Sequence, residues 1–236
     1  MAELLSIKGL VSGYRHLKVL KSIDFSVDES GMTAIIGPNG HGKSTLLKTI
    51  AGLLPTWSGE IVFDGQPLPN GAPERARLGL TLVPQGDQLF TGMTVEENLM
   101  MGAFARTDRT AIRATLDTVF ALFPRLHERR TQRAESLSGG ERRMVGIGRG
   151  LMADGRLMMI DEPSLGLAPL IIEQIYEALG QIAADGRAIV VVEENPSRVA
   201  QVADSFHLMD GGAFAWSGTT AELETSGEII KSYLGA

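Results

Sequence analysis

The 236-residue sequence predicts an α/β domain, and its hydrophobic pattern gives two reasons for that class. Short apolar runs rich in β-branched residues alternate with longer segments of helical periodicity, which is typical of a sheet covered by helices. The runs 157–161 and 188–192 are almost wholly apolar, as expected of parallel strands buried on both faces. Further core strands are predicted at 33–37, 81–83 and 206–209.

The N-terminal part of the chain predicts a second, smaller sheet. Segments 4–8 and 23–27, together with 60–63, have the short alternating pattern of antiparallel strands. These segments flank the first core strand along the chain. We therefore expect an N-terminal antiparallel subdomain beside the parallel core.

Strand signals disappear between about residues 86 and 135. Segments 93–105 and 110–122 have apolar residues at helical spacing, and Pro124 ends the second helix. We predict a helical subdomain inserted at about 86–140 within one domain that spans the whole chain.

Composition excludes several classes of protein. The net charge is −6, from 22 Lys and Arg against 28 Asp and Glu, which does not suit a nucleic-acid-binding protein. The absence of cysteine excludes disulfides, thiolate metal sites and a cysteine nucleophile. The N-terminus lacks a secretion-signal layout, and no apolar run approaches the roughly 18–20 residues of a membrane span. We expect a cytoplasmic protein.

A glycine-rich segment between a predicted strand and a predicted helix matches the phosphate-loop pattern G-x-x-x-x-G-K-S. Glycines allow successive backbone N–H groups to point into one concavity, to which the following helix adds its positive end. Lys43 supplies a charge for the β- and γ-phosphates of ATP, and the Ser44 hydroxyl is a ligand for Mg²⁺. The candidate nucleotide-binding residues are Gly37, Pro38, Asn39, Gly40, His41, Gly42, Lys43, Ser44 and Thr45.

An acidic pair closes the apolar strand at 157–161. The carboxyl ends of strands are where open α/β sheets bind ligands. Asp161 is therefore a candidate for holding Mg²⁺, and Glu162 for polarising the attacking water as a general base.

The string LSGGE at 137–141 opens a further helical run, and with it the sequence resembles the ATP-binding subunits of ABC transporters. The resemblance covers essentially the whole chain and implies a P-loop NTPase (RecA-like) core. Within the family the chain is most similar to LivF-type branched-chain amino-acid importer ATPases. The strings that carry this similarity are GLTLVPQ (79–85), MTVEENL (93–99), DEPSLGLAP (161–169) and KSYLG (231–235).

The resemblance implies roles for residues outside the phosphate loop. Ser138, Gly139 and Gly140 would face the γ-phosphate bound by a second ATP-binding subunit, in a homodimer or in a heterodimer with a LivG-like partner. Gln85 would contact Mg²⁺ or the attacking water, and Tyr14 would stack on adenine.

Two positions depart from the family pattern. Glu194 stands where many ABC ATPases have a histidine that contacts the γ-phosphate, and an ionised carboxylate there would repel that group. Ala168 stands where many relatives have an aspartate that crosses the dimer interface. These departures suggest slow hydrolysis as a homodimer, or pairing with a different subunit. The arginine pairs at 129–130 and 142–143 predict solvated faces, with contact to phosphate as the alternative.

The favoured function is the ATPase subunit of an amino-acid importer, peripheral on the inner face of the membrane. Its partners would be transmembrane permease subunits and, indirectly, an extracytoplasmic solute-binding protein. The alternatives are a soluble or regulatory ABC ATPase with weak hydrolysis, or the ATPase of a urea, amide or lipid transporter. A permease helix would dock near 89–105, where we expect partly exposed apolar side chains at Phe90, Met93, Met100 and Met101.

Overall fold

Two sheets and the helices that cover them form the part of the chain described by the computed structural model, residues 3–86 and 88–225. The strands are β1 (Glu3–Tyr14), β2 (Leu17–Asp28), β3 (Gly31–Ile36), β4 (Thr56–Phe63), β5 (Gln66–Pro67), β6 (Leu80–Val83), β7 (Leu157–Asp161), β8 (Ala188–Glu193), β9 (Ser205–Asp210) and β10 (Ala213–Thr219). The helices are α1 (Lys43–Ile50), α2 (Ala72–Arg77), α3 (Val95–Gly102), α4 (Arg109–Leu122), α5 (Pro124–Glu128), α6 (Gly139–Met152), α7 (Pro169–Ala184) and α8 (Thr220–Thr225). The string at 231–235 lies outside the described residues.

The larger sheet has the strand order β10-β9-β3-β8-β7-β6, with β10 antiparallel to its neighbour and the other strands parallel. The register pairs Ile36 with Glu193 and Asp161 with Val192. The segments that follow β3, β7 and β8 therefore leave the sheet at one edge, side by side. The predicted α/β class with a parallel core is confirmed.

The smaller sheet is antiparallel, in the order β2-β1-β4-β5, which confirms the predicted second sheet. Its strands are longer than predicted; β2, for example, begins at Leu17, and buried Leu20 extends its inward-facing side beyond the predicted segment 23–27. Strand β10 was not predicted. It is an edge strand whose residues are partly or fully exposed, so its sequence lacks a continuous apolar run.

Alternate residues of the parallel strands enter two separate hydrophobic layers. On β8, Ile189 and Val191 face the layer beneath α6 and α7, whereas Val190 and Val192 face the layer shared with α1 and the antiparallel sheet. Burial on both faces is the reason that this strand is apolar throughout.

Three helices occupy the region predicted to be helical, and the described residues between 86 and 135 contain no strand. Thr94 and Glu97 form a capping box that begins α3, and Asp108 caps α4. Helix α4 ends at Leu122, just before Pro124, as the sequence predicted. The boundaries of an inserted subdomain at 86–140 stay a prediction. Among the described residues, none of the helices has the length and apolar character of a membrane span.

One predicted solvated arginine is in fact buried. Arg143 on α6 is 4% exposed, and its Nη1 donates to the carbonyls of Pro84 and Gly86 at 3.3 and 3.4 Å. The sequence indicated a polar face because two arginines are adjacent. The turn of α6 instead directs Arg143 beneath the loop that follows β6, where backbone carbonyls need donors.

Arg75 on α2 holds the C-terminal end of α1, the helix that follows the phosphate loop. Its guanidinium is buried, and Nη1 donates to the carbonyls of Thr49 and Ile50 at 2.7 and 2.9 Å. These carbonyls lie at the negative end of the helix, where a cation is stabilising. Burial lowers the pKa of Arg75 from its ordinary value, and the group remains a cation at neutral pH.

We expect Arg75→Met to lower the free energy of unfolding by about 1–3 kcal/mol, because it removes the side-chain donor to the Ile50 carbonyl and one of the two donors to the Thr49 carbonyl. Urea unfolding followed by circular dichroism measures the change. The matched control is Arg77→Met on the same helix, whose exposed side chain predicts a change within about 0.5 kcal/mol. Equal effects of the two variants would contradict this role for Arg75.

Candidate active site

The loop at 37–42 joins β3 to α1 and has a backbone that requires glycine. Gly37 has φ +149°, and a Cβ added there would lie 2.2 Å from the Met209 carbonyl oxygen. Gly40 has φ +83° and open space on its Cβ side. Glycine is required at 37 because another backbone segment approaches closely, and at 40 because residues with a side chain avoid this conformation. No side chain within the described chain caps the N-terminus of α1, whose first turn also lacks acidic residues. The loop therefore offers uncapped N–H groups to an anion.

A cleft of about 320 Å³ opens at this loop. The residues that line it are Asn39, Gly40, Gly42, Lys43, Ser44, Thr45, Gln85 and Glu162. They come from three segments far apart in sequence, the loop after β3, the segment after β6 and the residue after β7. The parallel strands bring these segments to one edge of the sheet.

Lys43 is 3% exposed and forms the cationic centre of the cleft. Its Nζ donates to the carbonyls of Gly37 and Pro38 at 2.7 and 3.0 Å and lies 3.9 Å from Glu162 Oε1. Burial lowers the pKa of Lys43 from its ordinary value, and the charge of Glu162 opposes that effect. A buried ammonium is well placed to attract an anion into the cleft, and the nearby Glu162 carboxylate reduces that attraction without cancelling the donors of the loop.

Ser44 and Asp161 form the oxygen pair of the site. Ser44 Oγ donates to Asp161 Oδ1 at 2.9 Å, and Asp161 is almost fully buried. Burial raises the pKa of Asp161, while the hydrogen bond from Ser44 lowers it. A hydroxyl and a carboxylate at hydrogen-bond distance fit the oxygen donors that Mg²⁺ prefers, with water completing the set. The donor set is thus compatible with Mg²⁺.

Glu162 lies directly between Gln85 and Lys43. Gln85 Nε2 donates to Glu162 Oε2 at 2.8 Å, and Oε1 of the same carboxylate faces Lys43 Nζ. Burial raises the pKa of Glu162, and the charge of Lys43 opposes the increase. Glu162 has φ +48°, which is uncommon for a residue with a side chain and is often found at functional sites.

Glu194 is exposed and lies against the phosphate loop. Its Oε2 accepts a hydrogen bond from Asn39 Nδ2 at 3.1 Å. The carboxylate is therefore beside the cleft rather than directed away from it. Ala168 lies elsewhere, at the residue before α7, and its methyl side chain cannot cap the helix.

The structure places Ser138, Gly139 and Gly140 outside the cleft of this chain. Ser138 begins α6 through a capping box with Glu141, to which its Oγ donates at 2.9 Å. Ser138 and Gly139 are exposed, whereas Gly140 is buried against Ile171 of α7. This helix end is accessible to another molecule.

Tyr14 and His41 are placed at the borders of the loop. Tyr14 ends β1 and is 41% exposed. Val19 and Leu20 of β2 face Gly42, so the β1–β2 hairpin lies beside the phosphate loop. His41 is half-buried, and its Nδ1 lies 2.8 Å from Asp210 Oδ1 on β9. The imidazole is therefore paired with β9, and its role in nucleotide binding stays a prediction.

Sequence reasoning did not identify three residues that lie around the cleft. Arg143 supports the loop of Gln85 from below, and Glu193 and Tyr176 form a buried hydrogen bond behind Glu162. Only weak sequence features point to Glu193 and Tyr176: the first is a charged residue that ends an apolar strand, and the second is a tyrosine on an amphipathic helix. Only the packing of α6 and α7 on the sheet gives these residues partners.

Comparison with known proteins agrees with this geometry. The family model described as ABC transporter matches residues 20–165. The chain is 39% identical over 98% of its length to the high-affinity branched-chain amino acid transport ATP-binding protein BraG of Pseudomonas aeruginosa, all of which is covered. It is 35% identical to the probable branched-chain amino acid transport ATP-binding protein LivF of Archaeoglobus fulgidus, with 96% of each chain covered.

More distant similarities extend to another kind of transport. The lipopolysaccharide export system ATP-binding protein LptB of Escherichia coli is 29% identical, over 98% of this chain and 97% of that protein. Among solved structures, the ADP conformation of the ATP-binding cassette MJ1267 superposes with a TM-score of 0.85 at 26% identity, with all of both chains covered. The fold, the nucleotide cleft and these similarities together establish that the chain belongs to the ABC transporter family, as one of its LivF-type ATP-binding subunits and an ATPase.

Proposed function

We propose that this chain is the ATPase subunit of an importer for branched-chain or other amino acids, acting through a separate membrane permease. The observation that carries the proposal is the 39% identity with BraG over 98% of the chain. The cleft supports it, because a phosphate loop, an oxygen pair and a glutamate held by Gln85 converge there.

The reaction is hydrolysis of ATP to ADP and phosphate, and three side chains of the cleft take part in it directly. Glu162 accepts a proton from the attacking water, and its raised pKa makes it a better base than an ordinary carboxylate. Gln85 orients Glu162 through the hydrogen bond at 2.8 Å. Lys43 exchanges its carbonyl partners for phosphate oxygens and neutralises charge that develops on them.

Mg²⁺ would be held by Ser44 and Asp161, with Gln85 at the border of the same site. When bound, the ion neutralises phosphate charge and fixes the orientation of the γ-phosphate. Tyr14 would stack on adenine beside the loop.

Assembly of two ATP-binding subunits completes the site in this proposal. Ser138 and Gly139 form an exposed helix N-terminus, which is suited to an anion on another molecule. Gly140 lets α6 pack closely on α7 behind them. The second subunit is another copy of this chain or a LivG-like partner. Nucleotide would join the two subunits, and loss of the γ-phosphate would let them separate.

An exposed apolar surface on the helical region supports docking of a permease helix. Its members are Phe90, Met93, Met100, Met101 and Phe104, which are all at least 36% exposed. Methionine suits a contact that must adapt as the partner moves. A chain docked in this way is peripheral, on the cytoplasmic face of the membrane, and a solute-binding protein outside the cell would select the amino acid.

Lipid export is the second candidate, because LptB is 29% identical over nearly the whole chain. Assays on a transporter reconstituted from this chain and the permease that co-purifies with it distinguish amino-acid import from lipid export. Uptake of a labelled amino acid supports import, whereas extraction of a lipid from the bilayer would overturn it.

We expect Glu162→Gln to lower the turnover of ATP at least about 100-fold, because the amide cannot accept the proton of water. ATP binding should be retained, since Lys43 and the loop are unchanged. Phosphate release and equilibrium binding of labelled ATP measure the two quantities. Glu173→Gln, an exposed carboxylate on α7, is the matched control. Full turnover by Glu162→Gln would exclude it as the base.

We expect Glu194→His to raise the turnover of the assembled transporter about 3- to 10-fold, because it removes a carboxylate that repels the γ-phosphate. Glu194→Gln removes the charge at similar size and should give part of the gain. Phosphate release at saturating ATP measures both. An unchanged rate in Glu194→His would mean that this position does not limit hydrolysis.

We expect Phe104→Asp to weaken association with the permease at least about tenfold, because it places a charge where an apolar ring would be buried. An affinity-tagged chain is recovered from membranes, and co-purified membrane proteins are quantified by mass spectrometry. ATP hydrolysis by the isolated chain should not change. Leu53→Asp, at an exposed leucine outside the surface, is the control, and equal losses in both would contradict the assignment.

A further inference from the structure

A buried carboxylate outside the cleft, that of Glu193, contacts the segment that follows Glu162. Glu193 is the last residue of β8 and is 1% exposed. Its Oε1 accepts a hydrogen bond from Tyr176 Oη at 2.6 Å and another from the backbone N–H of Ser164 at 3.1 Å. A buried charge of this kind is tolerated only when its partners are well placed.

Arg198 completes the group from a third segment. Its Nη1 donates to Ser164 Oγ at 2.6 Å and lies 3.7 Å from Glu193 Oε2. Ser164 is also buried, and its amide and hydroxyl are held by two different side chains. We call Tyr176, Glu193, Ser164 and Arg198 the Glu193 network.

The network lies at one end of the turn that carries Glu162. At the other end, the Glu162 N–H donates to the carbonyl of Val192 at 3.0 Å. Two consecutive residues of β8 therefore hold both ends of the turn, Val192 through its backbone and Glu193 through its side chain. The left-handed conformation of Glu162 is unfavourable by itself, so it needs such contacts to persist.

We propose that Glu193 is a positioning residue for ATP hydrolysis, which acts through Ser164 to keep the Glu162 carboxylate facing Gln85 and Lys43. The inference rests on the proposed role of Glu162 as base. Glu193 does not line the cleft, so its effect on the reaction is indirect.

Tyr176 fixes the carboxylate from the opposite side. Burial and the neighbouring charge of Glu193 raise the pKa of Tyr176, so its hydroxyl remains a donor throughout the working pH range. Because α7 carries Tyr176 and the segment after Glu194 carries Arg198, the network also joins the turn of Glu162 to the loop of Glu194. The two loops are thereby held in one arrangement beside the cleft.

The test compares three variants of the full chain. Glu193→Leu removes every acceptor, Glu193→Gln keeps an oxygen for Tyr176 and Ser164, and Tyr176→Phe removes one donor while it preserves the ring. Glu177→Gln is the matched control, because this exposed carboxylate follows Tyr176 on α7.

The expected result is a loss in kcat with KM for ATP nearly unchanged. Glu193→Leu should lower kcat about 10- to 100-fold, since a small displacement of the base has an effect of that size. Tyr176→Phe should lower it about 3- to 10-fold, and Glu193→Gln should stay within about 3-fold of the original chain. The KM for ATP should change less than about 2-fold, because the phosphate loop keeps its contacts. Because partial unfolding would also lower the apparent kcat without changing KM, the folded fraction of each variant is measured by circular dichroism and kcat is expressed per folded molecule.

Hydrogen exchange measured by mass spectrometry gives a readout independent of hydrolysis. Without nucleotide, the amide of Ser164 should exchange at least about tenfold faster in Glu193→Leu and faster in Tyr176→Phe, while Glu193→Gln and Glu177→Gln retain protection. Unchanged protection of Ser164 with unchanged kcat in Tyr176→Phe and Glu193→Leu would overturn the inference. If Glu193→Leu does not fold, Tyr176→Phe decides alone.

Glu162→Gln is assayed in parallel so that the two proposals fail separately. An inactive Glu162→Gln with fully active Glu193 and Tyr176 variants removes only the positioning role. A fully active Glu162→Gln removes the assignment of the base, and the positioning role falls with it.

Discussion

Lateral pairing of three parallel strands is the constraint on which the site depends. The register places Ile36 beside Glu193 and Asp161 beside Val192, so the chain leaves β3, β7 and β8 at adjacent points on one edge. Lys43 follows the first of these exits and Glu162 the second. A shift of one residue in either pairing would separate the ammonium from the carboxylates and reverse which side chains enter each core layer.

Charge balance within a buried cleft follows from this arrangement. Lys43 lies among carboxylates whose attraction opposes the effect of burial on its pKa, and it in turn lowers the raised pKa of Glu162. Arrival of a polyanion would change these contacts, because phosphate oxygens compete for the same ammonium.

Contacts between loops and helices connect the cleft to more distant surfaces. Gln85 contacts Glu162, while Arg143 holds the carbonyls on either side of Gln85 from the helix that begins at Ser138. That helix also packs against α3, near the exposed apolar surface. The nucleotide cleft, the exposed helix end and the proposed docking surface therefore share one continuous set of packed elements.

The sequence by itself determined the α/β class, the phosphate loop and the acidic pair after β7, because glycine spacing and apolar strands are local features. The sequence also showed that Glu194 departs from the family pattern. Tertiary structure alone decided that Arg143 is buried, that His41 pairs with Asp210 and that Glu193 joins Tyr176 to Ser164. These contacts join residues up to 169 positions apart, and a local pattern carries no information about which side chains the folded sheet brings together.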